Sequence, residues 1–233
     1  MKTATWSYVD DVSDPYISLD DLHHLVKVKR ISQGETLVLS DGKGSWAEFV
    51  ASKVSRTRNG GLSLERQSEI TLDPLPKYPV GVALFMPKLD RLSWALQKMC
   101  EVGVDEIHLL SETFDRRGGK LPSMDRLIRV VREAGAQSRR SRLPLLSDMG
   151  GLADLINRKE VALCDINGGP LRSSHRTLVV GPEAGIELTN TLSEVVKLPG
   201  GVLRTETAAV VSGALMVSLR DNLLGEIDQA WSG

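Results

Sequence analysis

From Val80 to Leu219 short apolar runs alternate with longer amphipathic ones, and this alternation narrows the folds open to the chain. "VGVALFM" precedes "LDRLSWALQKMCEVG", and "DEIHLLS" precedes, after a loop, "MDRLIRVVREAGAQSRR". "GLADLINR", "VALCDI", "TLVVGPE", "ELTNTLSEVV", "GVLR" and a last apolar helix carry the pattern on. An unbroken apolar run suits a parallel strand covered on both faces, and joining parallel neighbours needs a crossover, usually a helix. The expected fold class is therefore α/β, a parallel sheet with helices on both faces. In such sheets ligands bind beyond the carboxyl ends of the strands, where loops and helix N-termini converge.

The first part of the chain has a different rhythm. Between residues 22 and 70, the β-like runs "KVKRI", "TLVLS", "SWAEFVASKV" and "LSLER" are punctuated by turn signals, and Asp41-Gly42 and Asn59-Gly60 are strong hairpin dipeptides. This is the pattern of a small β-barrel. "TLDPLPKYP" follows, with three prolines between Pro74 and Pro79, and proline interrupts helices and central strands alike. A semi-rigid linker at this point sets the expected domains at residues 1–73 and 74–233.

The 233 residues, 41% apolar and 25% charged, have the profile of an ordinary soluble globular protein. Cys100 and Cys164 lie in apolar patterns without a C-x-x-C, and His23, His24, His108 and His175 lack metal-ligand spacing. Reduced cysteines and no metal site are expected. "MKTATWSYVDD" lacks the basic start and apolar run of a secretory signal, which gives a cytoplasmic reading. Ala208 to Leu219 carries no charge, but its twelve residues are too few to cross a bilayer, so no membrane partner is expected.

The net charge of −1 conceals an uneven distribution. From Asp115 to Arg142 there are nine Lys or Arg against three Asp or Glu, while the first 21 residues carry five Asp and one Lys. Such a field can present a phosphate-binding face. For Arg126, Arg129 and Arg132 an ordinary solvated helix surface accounts for the charge equally well.

No G-x-G-x-x-G follows a strand and no G-x-x-x-x-G-K-[ST] occurs, so the common dinucleotide and nucleoside-triphosphate cradles are missing. "TLVVGPEAGIEL" instead ends a strand in a Gly-Pro-Glu-Ala-Gly loop that exposes backbone, and "KLPGGVLRTETA" is a second glycine loop at the next strand and helix. Two such loops on neighbouring strands can close around one ligand.

"VVGPEAGIE" followed by "LRTETAA" resembles the signature of the RsmE-type ribosomal RNA uridine methyltransferases of the SPOUT superfamily. "LQKMCEVGVDEIHLL" resembles the family's helix end through Lys98, Glu101, Gly103 and Val104, and "REAGAQSRRSRLPLL" a further segment through Glu133, Gln137, Ser138, Arg140 and Pro144. "HHLVKVKRISQGETLVLSDGKG" resembles its PUA-like RNA-binding β-barrel. The resemblance implies a PUA-like barrel in residues 1–73 and a SPOUT domain with a trefoil knot in residues 74–233, an exception to the usual absence of knots. It implies S-adenosylmethionine as cofactor, ribosomal RNA or an assembled small subunit as partner, and a homodimer packed on the apolar C-terminal helix. The cofactor residues implied are Gly181, Pro182, Glu183 and Gly185 in the first loop, with Leu198, Gly200, Leu203, Thr205 and Thr207 in the second. Lys29, Arg30, Lys98, Gln137 and Arg140 are the implied RNA contacts.

The chemistry so implied is methyl transfer to N3 of a uridine in 16S ribosomal RNA. That nitrogen carries a proton at neutral pH. Arg204 cannot act as a base, because guanidinium keeps its protons, but it can donate hydrogen bonds to charge developing on the uracil oxygens. Glu206 is the candidate base, or it orients Arg204 through a charge-assisted pair. Alternatively Thr205 is an N-cap and Glu206 complements the helix dipole. Departures from the family pattern at Ala184 and Pro199–Gly201 leave open an RNA-binding module that has lost catalysis, and a metabolic α/β enzyme with another cofactor is a third reading that the missing dinucleotide motifs disfavour.

Overall fold

The computed structural model describes residues 4–54, 61–111, 121–148, 151–156, 160–182 and 194–224. Its contacts divide the chain into two units, Met1–Leu75 with Arg132–Leu143, and Pro76–Val131 with Pro144–Gly233.

In the first unit, β1 (Thr5–Tyr8), β2 (Thr36–Ser40), β3 (Ser45–Val54) and β4 (Leu62–Arg66) are neighbours in that order, and β5 (Thr71–Leu72) pairs with β3. β1 runs parallel to β2 and the other pairs are antiparallel. Along β3 the side chains of Ala47, Phe49 and Ala51 point into the core while Glu48 is exposed, the period of a half-buried strand. The Asp41-Gly42 turn forms as its composition requires: the Asp41 carboxylate accepts the N–H groups of Lys43 (2.6 Å) and Ser45 (3.0 Å), and Gly42 and Gly44 take φ of 70° and 112°. Asn59-Gly60 lies outside the described residues.

Two expectations for this unit are corrected. "KVKRI" is not a strand. Helix α1 (Leu19–His23) runs directly into a π-helical turn over His24–Val28. Leu22, Leu25 and Val26 recur at helical spacing, Leu25 and Val26 are buried, and Val28 is exposed, so one helical face rather than alternation decides the conformation. The proline-rich stretch is also not free of the sheet at its start, because β5 precedes Pro74 and the Asp73 N–H donates to Gly44 O at 3.0 Å.

The segment Arg132–Leu143 is tied into the first unit by specific bonds. The Arg132 guanidinium donates to Tyr8 O (2.8 Å), the Tyr8 hydroxyl to Arg140 O (2.6 Å) and the Ser40 hydroxyl to Ser141 O (3.0 Å). Gly135 makes the approach possible, since a Cβ there would overlap Leu143 and Tyr8.

The second unit holds a six-stranded sheet in the order β11-β9-β10-β6-β7-β8, with every pair parallel. Its strands are β6 (Gly81–Phe85), β7 (Glu106–Leu110), β8 (Leu145–Asp148), β9 (Val161–Gly169), β10 (Thr177–Val180) and β11 (Val195–Val196). Four helices complete the described elements: α2 (Leu89–Val102), α3 (Met124–Ser138), α4 (Ala153–Ile156) and α5 (Thr205–Arg220). On one face Leu155 of α4 packs with Ala83, Phe85, Leu110, Leu163 and Val179. On the other, Gly213 of α5 lies against Val82 and Val104. Alternate residues of β6 thus face opposite helical layers, as a doubly covered parallel sheet requires.

"GVLR" is not the strand its apolar pair suggested. Residues 199–202 form bends and Gly200 takes φ of 88°, so the Pro-Gly-Gly turn displaces the strand upstream to Val195–Val196. β8 was not anticipated, being four residues long directly after Pro144. Nor is α5 covered on all sides among the described residues: Ala208, Ala209, Ser212, Gly213, Met216 and Val217 are buried, whereas Val210, Val211, Ala214 and Leu215 are half-buried.

Candidate functional site

At the carboxyl end of β10 and beside the middle of β9 the second unit forms a cavity of about 200 Å³. Gly181 and Pro182 leave β10 on one side, and the turn of Leu198, Gly200, Gly201 and Leu203 closes another. The two glycine loops of the sequence therefore meet at one place. The Thr205 hydroxyl donates to Gly181 O at 3.1 Å and links the start of α5 to the first loop. A Cβ on Gly201 would meet nothing within 4 Å, so the glycine turn leaves open space beside the cavity. Of the residues implied for cofactor binding, Gly181, Pro182, Leu198, Gly200, Leu203 and Thr205 line this cavity. Glu183 and Gly185 lie outside the described residues.

Sequence reasoning missed the third wall, Leu163 to Ile166 in the middle of β9. The signal was present in "VALCDI", where an apolar run turns polar part-way along the strand. Asp165 is the acidic side chain among the described lining residues. Cys164 lies 3.4 Å from the Ser212 hydroxyl, and burial pushes its thiol up to about 11, so at neutral pH it is a protonated, unreactive wall.

A second pocket adjoins the start of α5, lined by Asp90, Arg91, Trp94, Arg204, Glu206 and Thr207. Thr207 faces this pocket rather than the first cavity. Glu206 is buried, with 8% of its surface exposed, and its Oε1 lies 3.5 Å from Arg91 Nε. Oε2 is buried without a hydrogen-bond partner among the described residues. The charge-assisted pair anticipated between Glu206 and Arg204 is made with Arg91 instead, and Arg204 remains exposed and without an ion pair among the described residues. The N-cap assigned to Thr205 in the alternative reading is corrected as well, although Glu206 does lie in the first turn of α5, where its charge complements the helix dipole. Arg204, at φ −66° and ψ 152°, is the N-cap and makes no side-chain cap bond, while the Thr205 hydroxyl is spent on Gly181. Arg91 and Trp94 carried no local signal, because only the packing of α2 on α5 brings them to Glu206.

Four of the five implied RNA contacts fall in the first unit. Lys29 is half-buried, its ammonium donates to Trp6 O at 3.1 Å, and desolvation lowers its pKa against the opposing pull of Glu133. Arg30, in the left-handed region at φ 55°, and Gln137 are exposed, and Arg140 is half-buried with its carbonyl bound to Tyr8. Lys98 belongs to the second unit and pairs with Glu101 at 2.8 Å on the surface of α2. Among the described residues no group of three or more His, Cys, Asp or Glu is placed to hold a metal ion, and no helix is long and apolar enough to cross a membrane.

Comparison with known proteins accords with this arrangement. An RNA methyltransferase domain matches residues 73–217 and an RNA methyltransferase PUA domain matches residues 18–57. The ribosomal RNA small subunit methyltransferase E of Bacillus subtilis is 25% identical over 82% of this chain and 85% of its own. Among solved structures, the ribosomal RNA small subunit methyltransferase E of Neisseria gonorrhoeae, bound to S-adenosyl methionine, shares the fold at a TM-score of 0.72 with 22% identity, covering 93% of this chain and 98% of that one. A probable rRNA methyltransferase from Porphyromonas gingivalis shares it at a TM-score of 0.73 with 20% identity, over 94% and 100% of the two chains. The ribosomal RNA small subunit methyltransferase E of Mycobacterium bovis is 30% identical to this protein over 88% of each chain, and the chain described here belongs to that family of RNA methyltransferases.

Proposed function

We propose that this protein transfers a methyl group from S-adenosylmethionine to N3 of a uridine in the 16S ribosomal RNA of the small subunit, acting in the cytoplasm as a homodimer. The observation that carries the reading is the junction of both glycine loops with the N-terminus of α5, through Thr205 and Gly181, directly beside the Arg204 and Glu206 pocket. The residues of the cavity suit the cofactor. Leu163, Ile166, Val180 and Leu203 offer apolar walls to a purine, the glycine turn admits close approach, and the Asp165 carboxylate can accept from ribose hydroxyls. When bound, the cofactor supplies an electrophilic methyl group.

The residues of the chain do the rest. Arg204, exposed and unpaired among the described residues, donates to the uracil oxygens as negative charge develops on them. Glu206 takes the N3 proton on Oε2, whose lone pairs are otherwise unspent, while Arg91 holds Oε1 and so fixes the carboxylate. Lys29, Arg30, Gln137 and Arg140 hold RNA from the PUA-like unit, with Lys98 contributing from the other. In this reading the second unit is knotted, α5 threads the knot, and the half-buried face of α5 packs against a second copy. Mapping modified nucleosides in ribosomal RNA by mass from cells with and without the gene tests the proposal. Loss of one N3-methyluridine in 16S RNA is the expected result, and an unchanged modification map would overturn it.

A further inference from the structure

We propose that a third pocket, at the amino-terminal edge of the parallel sheet, receives one extruded nucleotide of the RNA substrate. This rests on the RNA methyltransferase reading and extends RNA binding to a place no motif pointed to. The pocket, of about 320 Å³, lies where β6 and β10 begin and α5 ends, at the edge opposite the glycine loops. Its floor is apolar, formed by Val80, Met216 and Leu219, and among the described residues no carboxylate lines it.

Its rim is cationic and aromatic. The Arg176 guanidinium lies 4.5 Å from the centroid of the Tyr78 ring, and Lys77 Nζ lies 5.1 Å from the same ring. Arg176 is held there, because its Nη1 donates to Ser173 O at 2.6 Å. The loop is pinned from beneath by buried His175, whose Nδ1 accepts the Arg172 N–H at 3.0 Å, leaving Nε2 to donate to Glu194 at 3.2 Å. Arg220 contributes little to a ligand, because Asp105 and Asp221 already neutralise it. Lys77, Arg172 and Arg176 have no carboxylate partner among the described residues. An apolar floor under a fixed arginine–tyrosine stack with unspent positive charge suits a base with its phosphate, the combination by which single-stranded RNA is held.

The test uses the full chain and a short fluorescein-labelled single-stranded oligouridylate. Arg172→Glu and Lys77→Glu alter exposed side chains that hold no ion pair among the described residues, so folding is preserved, and unchanged melting and S-adenosylmethionine binding would confirm this. Together they are expected to weaken oligonucleotide binding about tenfold or more and to flatten the dependence of log K on log salt by about 0.7 for each phosphate no longer held. Tyr78→Leu should weaken binding without changing that slope. Wild-type affinity and slope in the folded double variant would overturn the proposal, as would uridine monophosphate competing as strongly as the oligonucleotide. If the wild-type chain methylates ribosomal RNA and these variants match it in binding, only this pocket is misassigned. Failure of the wild type to bind RNA at all would overturn both readings.

Discussion

Glu206 is the residue on which the proposed chemistry turns, and its surroundings separate a catalytic role from a structural one. A buried carboxylate with one oxygen on Arg91 and the other unpartnered among the described residues is costly to keep, because an unsatisfied buried acceptor destabilises by about 1–3 kcal/mol. If it acts as base, Glu206→Gln and Arg204→Ala should fold and bind cofactor while single turnover on small subunits falls about a hundredfold. Near-wild-type rates would return both residues to a structural role. Arg91 acts through Glu206, so Arg91→Ala should lower kcat with little change in KM, and Arg91→Lys should restore part of the loss. Cys164 gives a pH signature. The unfolded thiol ionises near 9 and the folded one only at about 11. The unfolded state therefore loses its proton first, and the contribution of Cys164 to stability is complete below pH 9 and declines as pH rises towards 11. Urea midpoints measured across that range should fall more steeply for wild type than for Cys164→Ala, and iodoacetamide at neutral pH should label the folded thiol slowly.

Among the elements, α5 has the strictest packing requirement. Gly213 lies where a Cβ would come within 2.5 Å of Val104 Cγ2, and Val104 is wholly buried. The helix approaches the turn between α2 and β7 this closely only because the side chain is missing. Gly213→Ala would gain helix propensity on a surface, but here overpacking prevails, and a loss of about 1–3 kcal/mol is expected in urea denaturation. An unchanged midpoint would show that α5 shifts freely. Farther along the helix, Arg220 donates to Asp105, whose Oδ2 also accepts the Val80 N–H at 2.9 Å, so the last turn is fastened to the start of β6. Arg220 also donates to Asp221, and that hydrogen bond holds the Asp221 carboxyl below the usual carboxylate range.

For the whole molecule, the half-buried row of Val210, Val211, Ala214 and Leu215 is an apolar face that the described residues leave incompletely covered. In the proposed homodimer a second copy covers it. Leu215→Asp places a charge in that interface, where desolvation without a partner is unfavourable by several kcal/mol. Sedimentation at micromolar concentration is expected to show a dimer for wild type and a monomer or unfolded chain for the variant. A wild-type monomer would remove the basis for the dimer. The two units also cannot be separated by a cut near residue 74, because Arg132–Leu143 returns to the first unit and binds Tyr8, Ser40 and Asp73 there.

The sequence by itself determined the parallel α/β sheet, the Asp41-Gly42 hairpin and the two glycine loops, because each follows from local period or from backbone conformations that only certain residues adopt. It did not determine the helical turn at His24–Val28 or the position of β11, where burial of Leu25 and Val26 and the Pro-Gly-Gly bend outweighed short apolar runs. Only the tertiary structure brought Arg91 to Glu206, Leu163–Ile166 to the cavity, and Arg132–Leu143 to Tyr8. Those pairings join residues far apart in the chain, and their geometry depends on how helices seat on the sheet. No local pattern of residues records that distance.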